Sequence, residues 1–152
     1  MDMLILNKRK LIIILFCFFI FNELFSLTLV EVVDKKAEEA NENYKFVEVS
    51  LEDYFPHVDG VAYLYLNPKN KYNSYIELIF FTSLYKKNYH ISYNGYTVSG
   101  YIEKTTYTEP YNYKDSINKI ENEFSYRISE MKSDKTKIDK YVLFSLELLE
   151  EY

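Results

Sequence analysis

The sequence has no tryptophan, three glycines, three prolines, two histidines and a single cysteine, Cys17. Each scarcity removes a chemistry. Gly60, Gly95 and Gly100 are the only glycines, and neither glycine-rich phosphate-binding signature, G-x-x-x-x-G-K-[ST] or G-x-G-x-x-G, occurs. The stretch GYTVSGY around Gly100 is not the G-x-S-x-G nucleophile elbow. Neither H-E-x-x-H nor C-x-x-C occurs, so no ready-made zinc site exists and no cofactor is expected. One cysteine cannot close a disulfide within the chain. Positive charge is also sparse. Net charge is -5, and the one basic run is Lys8–Lys10. Phosphate backbones are held by clustered Lys and Arg, so nucleic acid is not an expected partner.

Long apolar runs are equally rare. The single unbroken one, Leu11–Phe21, follows the Lys8–Lys10 cluster and ends at the polar pair Asn22 and Glu23, with the small residue Ser26 just beyond. A basic start, a short apolar core and a small residue form the pattern of a signal peptide over residues 1–26. A membrane anchor is the rival, but it needs about 20 apolar residues and reaches that length only by taking in Asn22 and Glu23. In both cases the positive charge precedes the apolar run, which orients the remainder out of the cytoplasm. Periplasmic or extracellular placement is therefore expected. The membrane is met only through the N-terminal segment, if that segment is kept.

What remains is rich in aromatics: 17 Tyr and 11 Phe, in a chain that is 48% hydrophobic and 27% charged. That balance suits one globular domain. Residues 27–43 are charged and read as a spacer or short exposed helix, and 44–152 as a single α+β domain. Within it, YKFVEVS and VDGVAYLYLN alternate as strands, with Tyr63 and Tyr65 pointing the same way. SLEDYFP reads as one helical turn stopped by Pro56, and PKNKYN as a turn. SYIELIFFTSLY reads as a central strand, and KKN at 86–88 as a turn before the strand YHISY. Asn94-Gly95 is a hairpin signal, and Gly100 in the returning strand marks a bulge or bend. From 114 to 132 the apolar residues Ile117, Ile120, Phe124, Ile128 and Met131 recur at helical spacing. The expected fold is an antiparallel sheet of five to six strands with one long amphipathic helix, 114–132, packed on one face. Residues 138–152 fit strand or helix, and the β-branched and aromatic start of KYVLFSLELLEEY favours strand.

Candidate site residues are few. His57 lies in EDYFPHVDG with Asp53 and Asp59 close by, a group that could exchange protons or hold a metal, although H-x-D matches no established ligand spacing. His90 alternates with Tyr89 and Ile91 and is expected on an exposed strand face. Glu77 is the acid out of place in an apolar strand, expected at an edge or in an ion pair. Buried instead, it would be a candidate general acid. The tyrosine-dense stretch 89–113 offers Tyr96, Tyr101 and Tyr107 as a flat amphipathic binding face. Together these features point to a small exported bacterial envelope protein that binds a protein, peptide or glycan without catalysis of its own. The alternatives are an envelope hydrolase working through carboxylates and a membrane-tethered assembly factor.

Overall fold

The computed structural model describes residues 27–110 and 116–152. The expected signal peptide or anchor at 1–26 lies outside them, as do residues 111–115. Among the described residues no helix is long and apolar enough to cross a membrane.

The first element is a helix, α1 (Leu29–Asn43), in the stretch that reads as a spacer or short exposed helix. Thr28 and Glu31 make a reciprocal capping box. The Thr28 hydroxyl accepts from the Glu31 amide at 3.3 Å, and the Glu31 carboxylate accepts from the Thr28 amide at 2.7 Å. Behind the charged surface runs a narrow stripe of Leu29, Val33, Ala37 and Ala40, and Val33 and Ala40 are fully buried against the sheet. The stripe has no aromatic residue and is interrupted by acids and lysines, so its composition hides its periodicity.

Six strands follow as a meander in sequence order, every pair antiparallel: β1 (Lys45–Ser50), β2 (Gly60–Leu66), β3 (Tyr75–Phe81), β4 (Tyr85–Asn94), β5 (Thr97–Tyr107) and β6 (Ser116–Arg127). Short 3₁₀ turns at Leu51–Asp53 and Lys71–Asn73 fill the connections expected as one helical turn and as a turn. Lys86, Lys87 and Asn88 lie inside β4. The preceding turn is Thr82–Leu84, where the Thr82 hydroxyl accepts from the amides of Leu84 and Tyr85. The β4–β5 hairpin turns on Gly95 and Tyr96, one residue later than Asn94-Gly95. Gly95 takes φ +65° as its first central residue. Gly100 is not a bulge. It faces the His90 carbonyl and the Phe124 ring too closely to admit a Cβ, and the irregularity in the β5–β6 register falls between Ile102 and Glu103.

The long amphipathic helix expected over 114–132 is not formed. Residues 116–127 are β6, and only Ile128–Ser133 is helical (α2). The hydrogen-bonding edge of the long strand β5 takes these residues as its partner, and that pairing overrides a helical spacing that propensity alone does not enforce. Of the predicted stripe, Phe124 and Met131 are buried, while Ile117 is 69% and Ile120 43% exposed. The C-terminal segment expected as a strand is instead helix α3 (Lys140–Glu151). Asp139 caps it by accepting from the Tyr141 amide at 2.8 Å.

The fold is therefore α+β, a six-stranded antiparallel sheet with helices on both faces. One face carries Leu64, Ile76, Leu78, Ile91 and Val98, and packs on Val142, Leu146 and Leu149 of α3. The other carries Tyr65, Tyr75 and Tyr101, and packs on α1.

Candidate functional site

Where the β3–β4 turn meets the start of α3, the sheet opens into a cleft of about 290 Å³. Its apolar wall is built from rings on three elements. Phe80 of β3 lies 4.3 Å from Tyr141 of α3 between ring centroids, and Tyr89 of β4 lies 5.5 Å from Tyr141 and 5.7 Å from Phe80. Alternation along β3 and β4 puts Phe80 and Tyr89 on the α3 face, and the Asp139 cap sets the first turn of α3 over them. Tilted and edge-on contacts of this kind hold rings rigid. The Tyr89 hydroxyl donates to Asp139 at 3.3 Å, and burial, reinforced by that carboxylate, pushes the phenol pKa upward.

The rim is polar. Lys87 leans over from β4 and pairs with the bulged Glu121 at 2.8 Å. His57 and Asp59 come from the β1–β2 connection and line the cleft together with Phe81, Thr82 and Tyr85. The Asp59 carbonyl accepts from the Phe81 amide at 2.8 Å, which fixes the loop to the end of β3. His57 is the one non-glycine with positive φ among the described residues, at +69°. A left-handed conformation in such a residue costs about 1–3 kcal/mol and is held by its surroundings. Asp53 sits exposed on the preceding 3₁₀ turn and does not line the cleft.

A second polar group lies on the α1 face. The Tyr75 hydroxyl is 2.8 Å from Nδ1 of His90, the His90 ring stacks on Tyr101 at 4.4 Å, and the Tyr101 hydroxyl donates to Asp34 of α1 at 2.6 Å. Burial pushes the Tyr75 phenol far up, so it stays protonated. Nε2 of His90 points toward Glu103 at 3.9 Å. Burial lowers the His90 pKa, and the carboxylates of Glu103 and Asp34 oppose that. Glu77 stands directly across from His90 in the β3–β4 register and accepts from the Asn88 amide at 3.1 Å. Burial raises its pKa; Lys86 works against that and Glu103 adds to it. Nε2 of His90 and Oδ1 of Asn88 are buried without a hydrogen-bond partner.

These positions revise several sequence expectations. His90 is half-buried and engaged, not exposed. Glu77 is on the central strand β3, not at an edge, with an amide as its bonded partner. Tyr96, Tyr101 and Tyr107 do not share an exposed surface. Tyr96 is 88% exposed at the hairpin tip, whereas Tyr101 and Tyr107 are 8% and 7% exposed. Glu77 faces α1 while His57 and Asp59 border the cleft on the α3 side, so these acids do not form a catalytic pair. Among the described residues no group of three or more His, Cys, Asp or Glu could hold a metal ion. The cleft's aromatic wall is not legible in the sequence, because Phe80, Tyr89 and Tyr141 converge only once residues 140–151 form α3 and not a strand. Their only signal was aromatic density.

No family model, characterised protein or solved structure matches the chain.

Proposed function

We propose that this chain is a small exported binding module of a bacterial envelope, without catalysis of its own, and that the aromatic cleft takes its ligand. The observation that carries the reading is the ring triad of Phe80, Tyr89 and Tyr141, open on one side to His57 and Asp59. Preorganised rings beside a charged rim suit a ligand with a flat apolar face and polar edges, such as a glycan unit or a peptide side chain. Strain at His57 adds support, because backbone strain concentrates where a side chain must be presented. The basic and apolar start of the sequence supports export, whether that segment is cleaved or kept as a tether. Intact mass of the protein isolated from cells would distinguish the two.

His57→Gly tests the cleft. Glycine relieves the positive φ, so the variant should be more stable by about 1 kcal/mol. If the cleft binds, the same variant should lose affinity for cell-wall fragments, muropeptides and short peptides, measured by saturation-transfer NMR. Higher stability with weaker binding separates a ligand role from a folding role. Unchanged binding in His57→Gly and in Tyr85→Ala would overturn the proposal.

A further inference from the structure

Apart from the cleft, a groove of about 320 Å³ lies between α1 and the hairpin end of β4 and β5. Its floor is Ser92 from β4 with Thr97 and Ser99 from β5. Its walls are Lys35 and Lys36 from α1 and Asn73 from the 3₁₀ turn before β3. Alternation along the strands puts the hydroxyls here: Ser92 and Ser99 pair directly across β4 and β5 and point to the α1 face together.

The groove differs from an ordinary wet surface in how firmly its polar groups are held. The Lys36 ammonium donates to the Tyr44 hydroxyl at 2.6 Å and to the Asn73 side-chain amide oxygen at 2.9 Å, and pairs with Glu39 at 3.6 Å, with its side chain only 12% exposed. Tyr44 in turn donates to Glu39 at 2.9 Å. Ser99 shares a hydrogen bond with Ser125 at 3.1 Å. Walls fixed in advance lose little entropy when a ligand arrives.

The same bonds decide the ligand's charge. Lys36 already meets three acceptors, one of them anionic, and the Glu39 carboxylate lines the groove too. A phosphate or carboxylate would face that acid, with Lys36 engaged and only the exposed Lys35 ammonium at the wall to hold it. Hydroxyls and amides that both donate and accept remain on offer. We infer that the groove between α1 and the β4–β5 hairpin is a second ligand site, independent of the aromatic cleft, for an uncharged polyhydroxylated molecule the size of one sugar ring.

Titrating the ¹⁵N-labelled full chain with glucose, N-acetylglucosamine and inorganic phosphate tests this. Saturable amide shifts at Ser92, Thr97, Ser99 and Lys35 with a sugar, and none there with phosphate, are the expected result. Thr97→Val and Ser99→Val keep strand-forming side chains while removing hydroxyls, so each should fold and weaken sugar binding at least tenfold. Shifts with phosphate alone would make it an anion site and overturn the assignment. So would an absence of saturable sugar shifts, or sugar shifts that survive both valine variants. Sugar shifts confined to His57, Tyr85 and Tyr141 would overturn it as well, while supporting the separate reading of the cleft.

Discussion

Tyr101 on β5 donates a 2.6 Å hydrogen bond to Asp34 on α1, joining residues 67 positions apart. It is a direct polar tie between a helix with charged surroundings and the sheet beneath it. The only fully buried apolar side chains α1 contributes are Val33 and Ala40. Small side chains bury little area, so the charged hydrogen bond is a large share of what fixes the helix.

Tyr101→Phe keeps the ring on His90 and deletes that bond. The expected loss is about 1 kcal/mol in urea denaturation. Hydrogen exchange should quicken across residues 29–43 more than across β2 or β3. Uniform acceleration over the whole chain would mean that α1 does not open separately.

Gly100 is a packing requirement and Gly95 a conformational one. At Gly100 a methyl group would overlap the His90 carbonyl and come within 2.5 Å of the Phe124 ring. At Gly95 the space is open, and the constraint is φ +65°. Gly100→Ala should therefore cost more than about 3 kcal/mol, by forcing β4, β5 and Phe124 apart. Gly95→Ala should cost about 1–2 kcal/mol. Melting curves of the two variants give the order directly, and equal losses would refute the distinction.

The parts of the fold that the sequence made legible are those where side-chain pattern and backbone pairing agree. β2 and β3 alternate or run apolar between turn residues, and Gly95 is one of two residues at the hairpin tip. Legibility failed where a tertiary partner decided the outcome. Ile117 and Ile120 keep helical spacing with Phe124, yet β5 recruits them into a strand that leaves both exposed. In α3 the β-branched start yields to the Asp139 cap and to the Leu- and Glu-rich turns after it. The candidate site follows the same division. His57 and Asp59 stand out as polar residues in a turn, while Phe80, Tyr89 and Tyr141 converge only through the α3 packing. His90 could not be read as buried, because the residue that covers its ring, Tyr101, is itself covered by a helix the composition disguised.

Tyr93 and Ser145 form a buried pair that should behave as one unit. The Ser145 hydroxyl donates to the Val142 carbonyl at 2.7 Å, so the Tyr93 hydroxyl, 2.7 Å away, must be the donor to Ser145. Ser145→Ala strands a fully buried phenol and should cost about 1–3 kcal/mol. Tyr93→Phe removes the donor and leaves a serine still bonded to its own helix, so it should cost less. In the double variant no polar group is stranded. Its loss in chemical denaturation should fall short of the sum of the single losses by about 1 kcal/mol. Strict additivity would mean that the hydroxyls do not interact.

Glu77 and His90 face each other across β3 and β4 and should pull stability in opposite directions with pH. Burial raises the folded pKa of Glu77, so the folded state holds that proton more tightly than the unfolded chain. The resulting stabilisation is complete below the unfolded value near 4.5 and is lost as pH rises through the folded one. Burial lowers the folded pKa of His90, so there the unfolded chain binds the proton better. That contribution is complete above the unfolded value near 6.5 and is lost as pH falls through the folded one. Glu77→Gln keeps an acceptor for Asn88 and removes the ionisation. The variant should melt higher than the parent at pH 7 and match it near pH 4. A variant that melts lower at pH 7 would show that the Glu77 carboxylate, and not its protonated form, is what the folded sheet stabilises.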